Sequence, residues 1–399
     1  MTSTFVTRRE FLAANAAAGM TLIAASARAA GISELYAGLK SDDFFAGPLK
    51  EETKIVDQKV FTEGPAVAPD GRVFFTNAYG AKILIWNPKS RELSTYRENS
   101  GEANGLLFDH SGRLLACEGK SGRVTRTDLT TGAITVLVDQ FGGHPLGAPN
   151  DLTIDAKGRI YFTSRLPNMD EKKMNVNSVY RIDPDGKVAR VLHEPDIHMP
   201  NGVEVSPDGH TLYLIESDGR ENRNRCLFAY DLKDDGTVTN TRRIIDFYPG
   251  RGGDGLCVNT EGNLYVAAGL HKTRGTHETL DTKPGIHVVS PSGKLLAYLA
   301  TPIDTLTNCT FGGDDRKTLF ITCGDWLLSV RTKQAGPKSP AISRTDRDNG
   351  SNLDDDELPM SVARADDRGR RLVAGETSEC LEADRHAAGS GGSSSGGGR

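Results

Sequence analysis

The chain has 399 residues, with 48 Lys and Arg against 53 Asp and Glu, which gives a formal net charge of −5 at pH 7. Because there is no basic excess, the composition excludes an extended electrostatic surface for nucleic acid. It is the composition of a soluble globular enzyme or binding protein, and we expect a monomer or weak oligomer.

The first 29 residues have the features of an export signal. Arg8 and Arg9 precede an alanine-rich apolar stretch that ends near Ala25, and Ala-Arg-Ala at 27–29 is typical of a cleavage site. This arrangement predicts a twin-arginine-type signal peptide and a periplasmic or secreted protein, the alternative being a chance Arg-Arg pair. The apolar stretch is too short for a membrane span, so we expect none in the mature chain. A lead-in at 30–52 follows.

Residues 53–333 contain six copies of a β-hairpin pattern. In the first copy, alternating residues at 66–68 and 73–77 flank an Asp-Gly turn at 69–72. Its relatives lie at 105–118, 151–164, 202–217, 255–269 and 310–323. Turn glycines at 71, 112, 158, 209 and 262 are 41, 46, 51 and 53 residues apart, which is close to the length of a propeller blade. The strand signals exclude a helical solenoid of similar period.

A second pair of alternating segments follows each of the first five hairpins, which makes four strands per repeat. The sixth repeat is one strand short, and the alternating stretch 53–60 can supply the missing strand from the N-terminal side. The pattern therefore predicts an all-β, six-bladed β-propeller with four antiparallel strands per blade, closed by the N-terminal strand. The alternative is an open β-array.

The C-terminal residues 334–399 lack apolar periodicity and end in a Gly- and Ser-rich segment, which predicts a disordered tail. The Gly-Ser-Ser-Ser-Gly at 392–396 matches a nucleophile-elbow pattern but lies in low-complexity sequence, so we reject it. None of the six cysteines forms a CxxC pair, which argues against metal binding by thiolates. Cys309 and Cys323 are expected to face each other across the sixth hairpin, as a disulfide or, preferably, as two buried thiols.

One polar residue recurs just before the apolar run of each hairpin. In the first five copies it lies eight residues ahead of the turn glycine. The six residues are Glu63, Asn104, Asn150, Asn201, Asp254 and Asn308. Because the innermost strands of a propeller line its central channel, equivalent positions at their starts should converge at one mouth.

Four of these residues form a set of hard oxygen donors, namely Glu63, Asn150, Asn201 and Asp254. Such donors suit one divalent cation, calcium first, with zinc, magnesium or manganese as alternatives. Without a cation, the two carboxylates would repel each other in a poorly solvated channel. The alternative for the Asn residues is turn chemistry, and for the two acids a structural role.

Four short motifs in register with the repeat resemble the gluconolactonase, senescence-marker-protein and luciferin-regenerating-enzyme family of six-bladed propellers. They are Glu-Gly-Pro at 63–65, Pro-Asn-Asp-Leu at 149–152, Pro-Asn-Gly-Val at 200–203 and Asp-Gly-Leu at 254–256. With the blade pattern, the resemblance covers about residues 54–331.

The resemblance implies a metal-dependent lactonase acting on a small-molecule lactone. It implies that Glu63, Asn201 and Asp254 are metal ligands, that Asn150 is a ligand or substrate contact, and that Asp254 is also the general base. Asn104 and Asn308 occupy matching positions in blades two and six and are second-rank candidates for lining the pocket.

The loops at 165–177, 218–225 and 270–285 should lie at the same mouth and select the substrate. The third contains His271, Lys272, Arg274 and His277, which could orient a hydroxylated or anionic substrate, although solvated side chains are the alternative. A lactone carbonyl polarised by the cation and a water activated by Asp254 would complete the chemistry. Two other functions remain open: a non-catalytic exported propeller that binds a sugar or protein partner, and an esterase or phosphotriesterase on the same scaffold.

Overall fold

The computed structural model describes residues 35–165 and 175–338, and it confirms the predicted six-bladed β-propeller. A 3₁₀ helix (Ser41–Asp43) and strand β1 (Lys50–Lys54) lead into the ring. Blade 1 contains β2 (Thr62–Val67), β3 (Val73–Asn77), β4 (Lys82–Asn87) and β5 (Glu92–Arg97). Blade 2 contains β6 (Ala103–Phe108), β7 (Leu114–Glu118), β8 (Arg123–Thr127) and β9 (Ile134–Val138).

A small hairpin that the sequence pattern did not predict, β10 (Gln140–Phe141) and β11 (His144–Pro145), precedes the third blade. Blade 3 contains β12 (Ala148–Ile154), β13 (Ile160–Arg165), β14 (Ser178–Ile182) and β15 (Val188–His193). Blade 4 contains β16 (Pro200–Val205), β17 (Thr211–Ser217), β18 (Arg225–Leu232) and β19 (Val238–Asp246).

Blade 5 contains β20 (Gly253–Val258), β21 (Leu264–Ala268), β22 (Gly285–Val289) and β23 (Leu295–Ala300). Blade 6 contains β24 (Leu306–Gly312), β25 (Thr318–Cys323) and β26 (Trp326–Arg331), and β1 is its fourth, outermost strand. All strand pairs are antiparallel, and the first strand of each blade is the innermost.

The N-terminal strand closes the ring as predicted, but it lies earlier than the stretch 53–60. β1 pairs with β26, with Lys50 opposite Ser329 and Lys54 opposite Trp326. Beyond it, residues 56–61 cross from blade 6 to blade 1. Asn77 holds this crossing, since its Oδ1 accepts from the Phe61 N–H at 3.0 Å and its Nδ2 donates to the Lys59 carbonyl at 2.9 Å. In residues 56–61, these side-chain hydrogen bonds take the place of the backbone hydrogen bonds that a β-strand would make.

The core consists of apolar side chains packed between neighbouring blades. Between blades 1 and 2, for example, the rings of Phe74 and Phe108 meet edge to face at 5.2 Å, and both are buried with Leu114. Removing each such side chain from water contributes roughly 1.5–3 kcal/mol. Because each blade packs on two neighbours, this burial fixes the positions of the inner strands.

The expected facing of Cys309 and Cys323 is wrong. The irregular register of β24 places Cys309 opposite Ile321 and Cys323 opposite Leu306. Cys309 instead lies 3.5 Å, Sγ to Sγ, from Cys257 of the neighbouring blade, and the five cysteines in the described residues are buried free thiols.

Several predicted segments lie outside the described residues: the signal peptide at 1–29, residues 166–174 of one loop, and 339–399 of the tail. Where the lead-in is described, it packs on blade 5, with the Tyr36 hydroxyl 2.8 Å from His287 Nε2. At the start of the predicted tail, the Ala335 carbonyl accepts a hydrogen bond from the Thr260 N–H at 2.9 Å. Within residues 35–165 and 175–338, no helix has the length and hydropathy needed to cross a membrane.

Candidate active site at the channel mouth

Every innermost strand has a register irregularity beside its predicted site residue. The irregularities lie at 63/66, 103/106, 149/152, 200/203, 253/256 and 306/308. A bulge leaves extra residues unpaired and re-aims their side chains, and bulges are common beside active sites. The eight-residue spacing between the polar residue and the turn glycine in the first five copies therefore has a structural explanation. It contains the bulge, the rest of the inner strand and the start of the turn.

Glycine follows the site residue in four blades because neighbouring inner strands approach closely there. Gly64 has φ +41°, and a Cβ at this position would lie 2.1 Å from the carbonyl oxygen of Asn104 in the next blade. A Cβ on Gly255 would lie 2.0 Å from the Asn308 side chain. Only glycine fits these contacts without displacing the neighbouring strand.

Asn201 and Asp254 meet directly across blades 4 and 5. Asn201 Nδ2 donates to Asp254 Oδ1 at 2.6 Å and to Ser217 Oγ at 2.9 Å. The second carboxylate oxygen of Asp254 accepts a hydrogen bond from Arg251 Nη2 at 2.5 Å. Asn201 and Asp254 are buried, so the pair forms a fixed polar contact at the mouth of the channel.

The carboxyl of Glu63 is buried close enough to Asp254 for the two negative charges to repel each other. Glu63 is 2 % exposed, and its carboxyl accepts a hydrogen bond from the Gly64 N–H at 3.2 Å. Burial, together with the negative charges of Asp254 and Asp151, raises the pKa of Glu63 well above its usual range. A neighbouring positive charge would remove this penalty on the ionised form.

Asn150 has an unsatisfied acceptor. Asn150 is 4 % exposed, and its Oδ1 has no hydrogen-bond partner among the residues that the structure describes. Such an orphaned buried oxygen costs about 1–3 kcal/mol unless a ligand satisfies it. A cation in this position would do so.

These observations fit a hard divalent cation held by oxygen donors. Glu63 and Asn150 offer oxygens that are poorly satisfied, and Asp254 supplies a second carboxylate. Asn201 points Nδ2 towards Asp254, so a 180° turn of its amide would be needed to present Oδ1. No group of three or more His, Cys, Asp or Glu side chains arranged for metal binding occurs in the described part of the chain, and the predicted set contains only two of those residue types.

The second-rank candidates have other contacts. Asn308 Nδ2 donates to Asp151 Oδ2 at 3.2 Å, which joins blades 6 and 3 across the channel. Asn104 is only half-buried, and its backbone carbonyl accepts from Thr76 Oγ1 at 3.0 Å. His271 is exposed, with Nε2 2.7 Å from the Thr301 carbonyl, so this nitrogen donates to the backbone of its own blade.

Three functional candidates were missed from the sequence: Asp151, Glu204 and Arg251. Burial raises the pKa of Asp151 to about 7 and that of Glu204 to about 8. Two of the three break the repeat in a way that the sequence shows. Asp151 follows its site residue at the position where four copies have glycine. Glu204 is the one charged residue among the six that lie three places after a site residue. Arg251 lies in a connection outside the repeat and is not marked in this way.

The chain is similar in sequence and in fold to known proteins. The SMP-30/gluconolactonase/LRE-like region family matches residues 61–325. The gluconolactonase of Zymomonas mobilis is 29% identical over 304 residues, covering 69% of this chain and 80% of the relative. Regucalcin of Danio rerio is 26% identical over 277 residues, covering 69% and 84%. A solved gluconolactonase from Xanthomonas campestris has 27% identity and a TM-score of 0.61, covering 73% of this chain and 91% of that one.

Proposed function

Since the chain belongs to the SMP-30/gluconolactonase/LRE-like family, we propose that it is a lactonase that opens a sugar-type lactone with one divalent cation, calcium being the first candidate. The observation that carries the proposal is the donor set of Glu63, Asn150, Asn201 and Asp254 on four bulged inner strands. The gluconolactonase relatives support lactone hydrolysis as the reaction.

Asp254 is the proposed general base. Asp254 is 7 % exposed, and the two oxygens of its carboxylate are held by Asn201 and Arg251 at 2.6 and 2.5 Å. A base held in this way accepts a proton from a water placed against the lactone carbonyl without first losing rotational freedom. No covalent nucleophile is needed, and the product is a hydroxy acid.

Glu63, Asn150 and Asn201 are the proposed remaining ligands. When bound, a divalent cation would polarise the lactone carbonyl as a Lewis acid. The buried carboxylate of Glu63 would balance the charge of the cation. Asn150 Oδ1, which is otherwise without a partner in the described structure, would become a ligand. The inner strands hold these groups through inter-blade contacts such as Thr163 Oγ1 to the Asn201 carbonyl at 2.8 Å.

The connections at the mouth are the proposed source of substrate selectivity. The loop at 270–285 contacts the next blade, where Arg274 Nη2 donates to Thr305 Oγ1 at 3.2 Å and Lys272 N–H donates to Asp304 at 3.2 Å. These polar groups border the same face as the start of β24. They suit a hydroxylated substrate better than an apolar one.

The test is a pH-stat assay of glucono-1,5-lactone with calcium-loaded protein, its Glu63→Gln and Asp254→Asn variants, and matched controls. Glu92→Gln on an outer strand and Asp208→Asn in a turn at the opposite end of blade 4 change the same groups away from the mouth. We expect kcat to fall by about 100-fold or more in Asp254→Asn, since general-base loss alone costs that much. It should also fall in Glu63→Gln, which loses a cation ligand, and stay unchanged in the controls. Equal turnover in all five proteins, or none in wild type, refutes the proposal.

We further propose export through the twin-arginine signal at 1–29. Cell fractionation of the full-length chain and of a variant with Arg8 and Arg9 both changed to Lys tests this. Accumulation of wild type outside the cytoplasm, with retention of the variant, supports export. Equal distribution of the two proteins contradicts it.

A further inference from the structure

Arg251 joins the predicted base to the neighbouring blade. It lies two residues before β20 and is 6 % exposed. Its Nη2 donates to Asp254 Oδ2 at 2.5 Å, and its Nη1 donates to the Leu306 carbonyl of blade 6 at 2.9 Å. The planar guanidinium therefore aligns a site carboxylate with the backbone of another blade.

This contact limits what Asp254 can do. Oδ2 is occupied by Arg251, and Oδ1 faces the Asn201 amide at 2.6 Å. A carboxylate held at both oxygens keeps one rotamer. Because Arg251 holds Oδ2, a cation or a water can reach Asp254 only at Oδ1, once the Asn201 amide turns away from it.

We propose that Arg251 is a positioning residue that presents Asp254 as a one-oxygen partner. The inference rests on the proposed function. It has an electrostatic consequence, because the guanidinium contacts Asp254 and its charge would therefore act at short range on a cation bound to that carboxylate. Repulsion between charges at such a range corresponds to a change of about ten-fold or more in affinity. Arg251 therefore weakens cation binding while it improves the geometry for turnover.

The chain offers a matched control at the opposite end of the propeller. Arg159 follows the turn after β12 and is 8 % exposed. Its Nε donates to Asp155 Oδ2 at 2.5 Å, and its Nη1 donates to the Asp234 carbonyl of the next blade at 2.8 Å. Arg159 has the same burial, carboxylate contact and inter-blade carbonyl contact, but lies away from the mouth.

The experiment compares full-length Arg251→Ala, Arg251→Lys and Arg159→Ala proteins with wild type. The measurements are kcat on glucono-1,5-lactone, calcium affinity by calorimetry, and Tm. We expect Arg251→Ala to bind calcium about ten-fold more tightly and to have a kcat at least ten-fold lower. Added guanidinium should move both values back towards wild type. Arg159→Ala should lower Tm, with kcat and calcium affinity within about two-fold of wild type.

A purely structural role makes a different prediction for Arg251→Ala. Weaker calcium binding together with lower kcat, or no response to guanidinium, overturns the inference. If Arg251→Ala does not fold, Arg251→Lys decides: the inference predicts lower kcat with calcium affinity near wild type, and parallel loss of both overturns it. Wild type that neither turns over the lactone nor binds calcium refutes the proposed function and the inference together, whereas wild-type-like Arg251→Ala refutes the inference alone.

Discussion

Replacing Glu204 with Gln should remove a large part of the pH dependence of stability. Glu204 accepts a hydrogen bond from Thr153 Oγ1 at 3.0 Å and one from the Val205 N–H at 3.1 Å. Burial raises the pKa of its carboxyl from the model-compound value of 4.5 to about 8. The neutral acid is therefore the favoured form in the folded protein at neutral pH, and glutamine has nearly the same shape.

The magnitude follows from the difference in pKa between the folded and unfolded chains. A rise from 4.5 to about 8, at about 1.4 kcal/mol per pKa unit, gives an upper limit of roughly 5 kcal/mol. Glu204 retains some exposure along the channel, so we expect about 1–3 kcal/mol. Because the folded pKa is the higher one, the folded chain binds more protons, and the stabilisation present below pH 4.5 is lost as pH rises towards 8.

The assay is urea unfolding at pH 5 and pH 9 in the presence of a chelator. The free energy of unfolding should fall between these pH values by about 1–3 kcal/mol more in wild type than in Glu204→Gln. Glu92→Gln, on an exposed outer strand, controls for the change of charge and should behave as wild type. Equal falls in wild type and Glu204→Gln would show that Glu204 is ionised in the folded protein.

Three further outcomes are expected. In urea titrations, Gly64→Ala should lower the free energy of unfolding by more than about 3 kcal/mol, because its Cβ would meet the Asn104 carbonyl. Gly71→Ala is the control: Gly71 has φ +89° but open space around it, so the substitution should cost about 1 kcal/mol. Burial lowers the pKa of His287 from 6.5 to about 4, so, as pH decreases through this interval, the free energy of unfolding should change less favourably in wild type than in His287→Gln. Equal changes in the two proteins would contradict the burial of His287 as a neutral ring. Chelation should lower Tm by calorimetric scanning, because Glu63 loses its counter-charge, and an unchanged Tm would argue against a bound cation.

The ring could be predicted from the sequence because the features that indicate it recur at regular intervals along the chain. Strand alternation recurs in every blade, and in the first five blades the polar residue eight places before the turn glycine locates the bulge of the inner strand. Glu63 and Asp254 could therefore be assigned to one mouth before any contact was known. Periodicity carries this information because six similar units must pack in one closed circle.

Non-periodic contacts could not be predicted in this way. Arg251 reaches Asp254 from a connection whose path depends on two blades, and Cys309 meets Cys257 because the register of β24 is irregular. The closing strand ends at Lys54 because Asn77 of blade 1 holds the following crossing. Each depends on a tertiary neighbour that local alternation does not specify.

The central claim is that one cation, held by Glu63 and Asp254 with their amide neighbours, is required for lactone opening. The direct measurement is a titration of chelator-treated full-length protein with calcium, recording heat of binding and initial lactone turnover on the same samples. The account predicts one site per chain, turnover that rises in proportion to its occupancy, and loss of both signals in Glu63→Gln. Full turnover by the cation-free protein, or saturating calcium binding to Glu63→Gln with wild-type affinity, would contradict it.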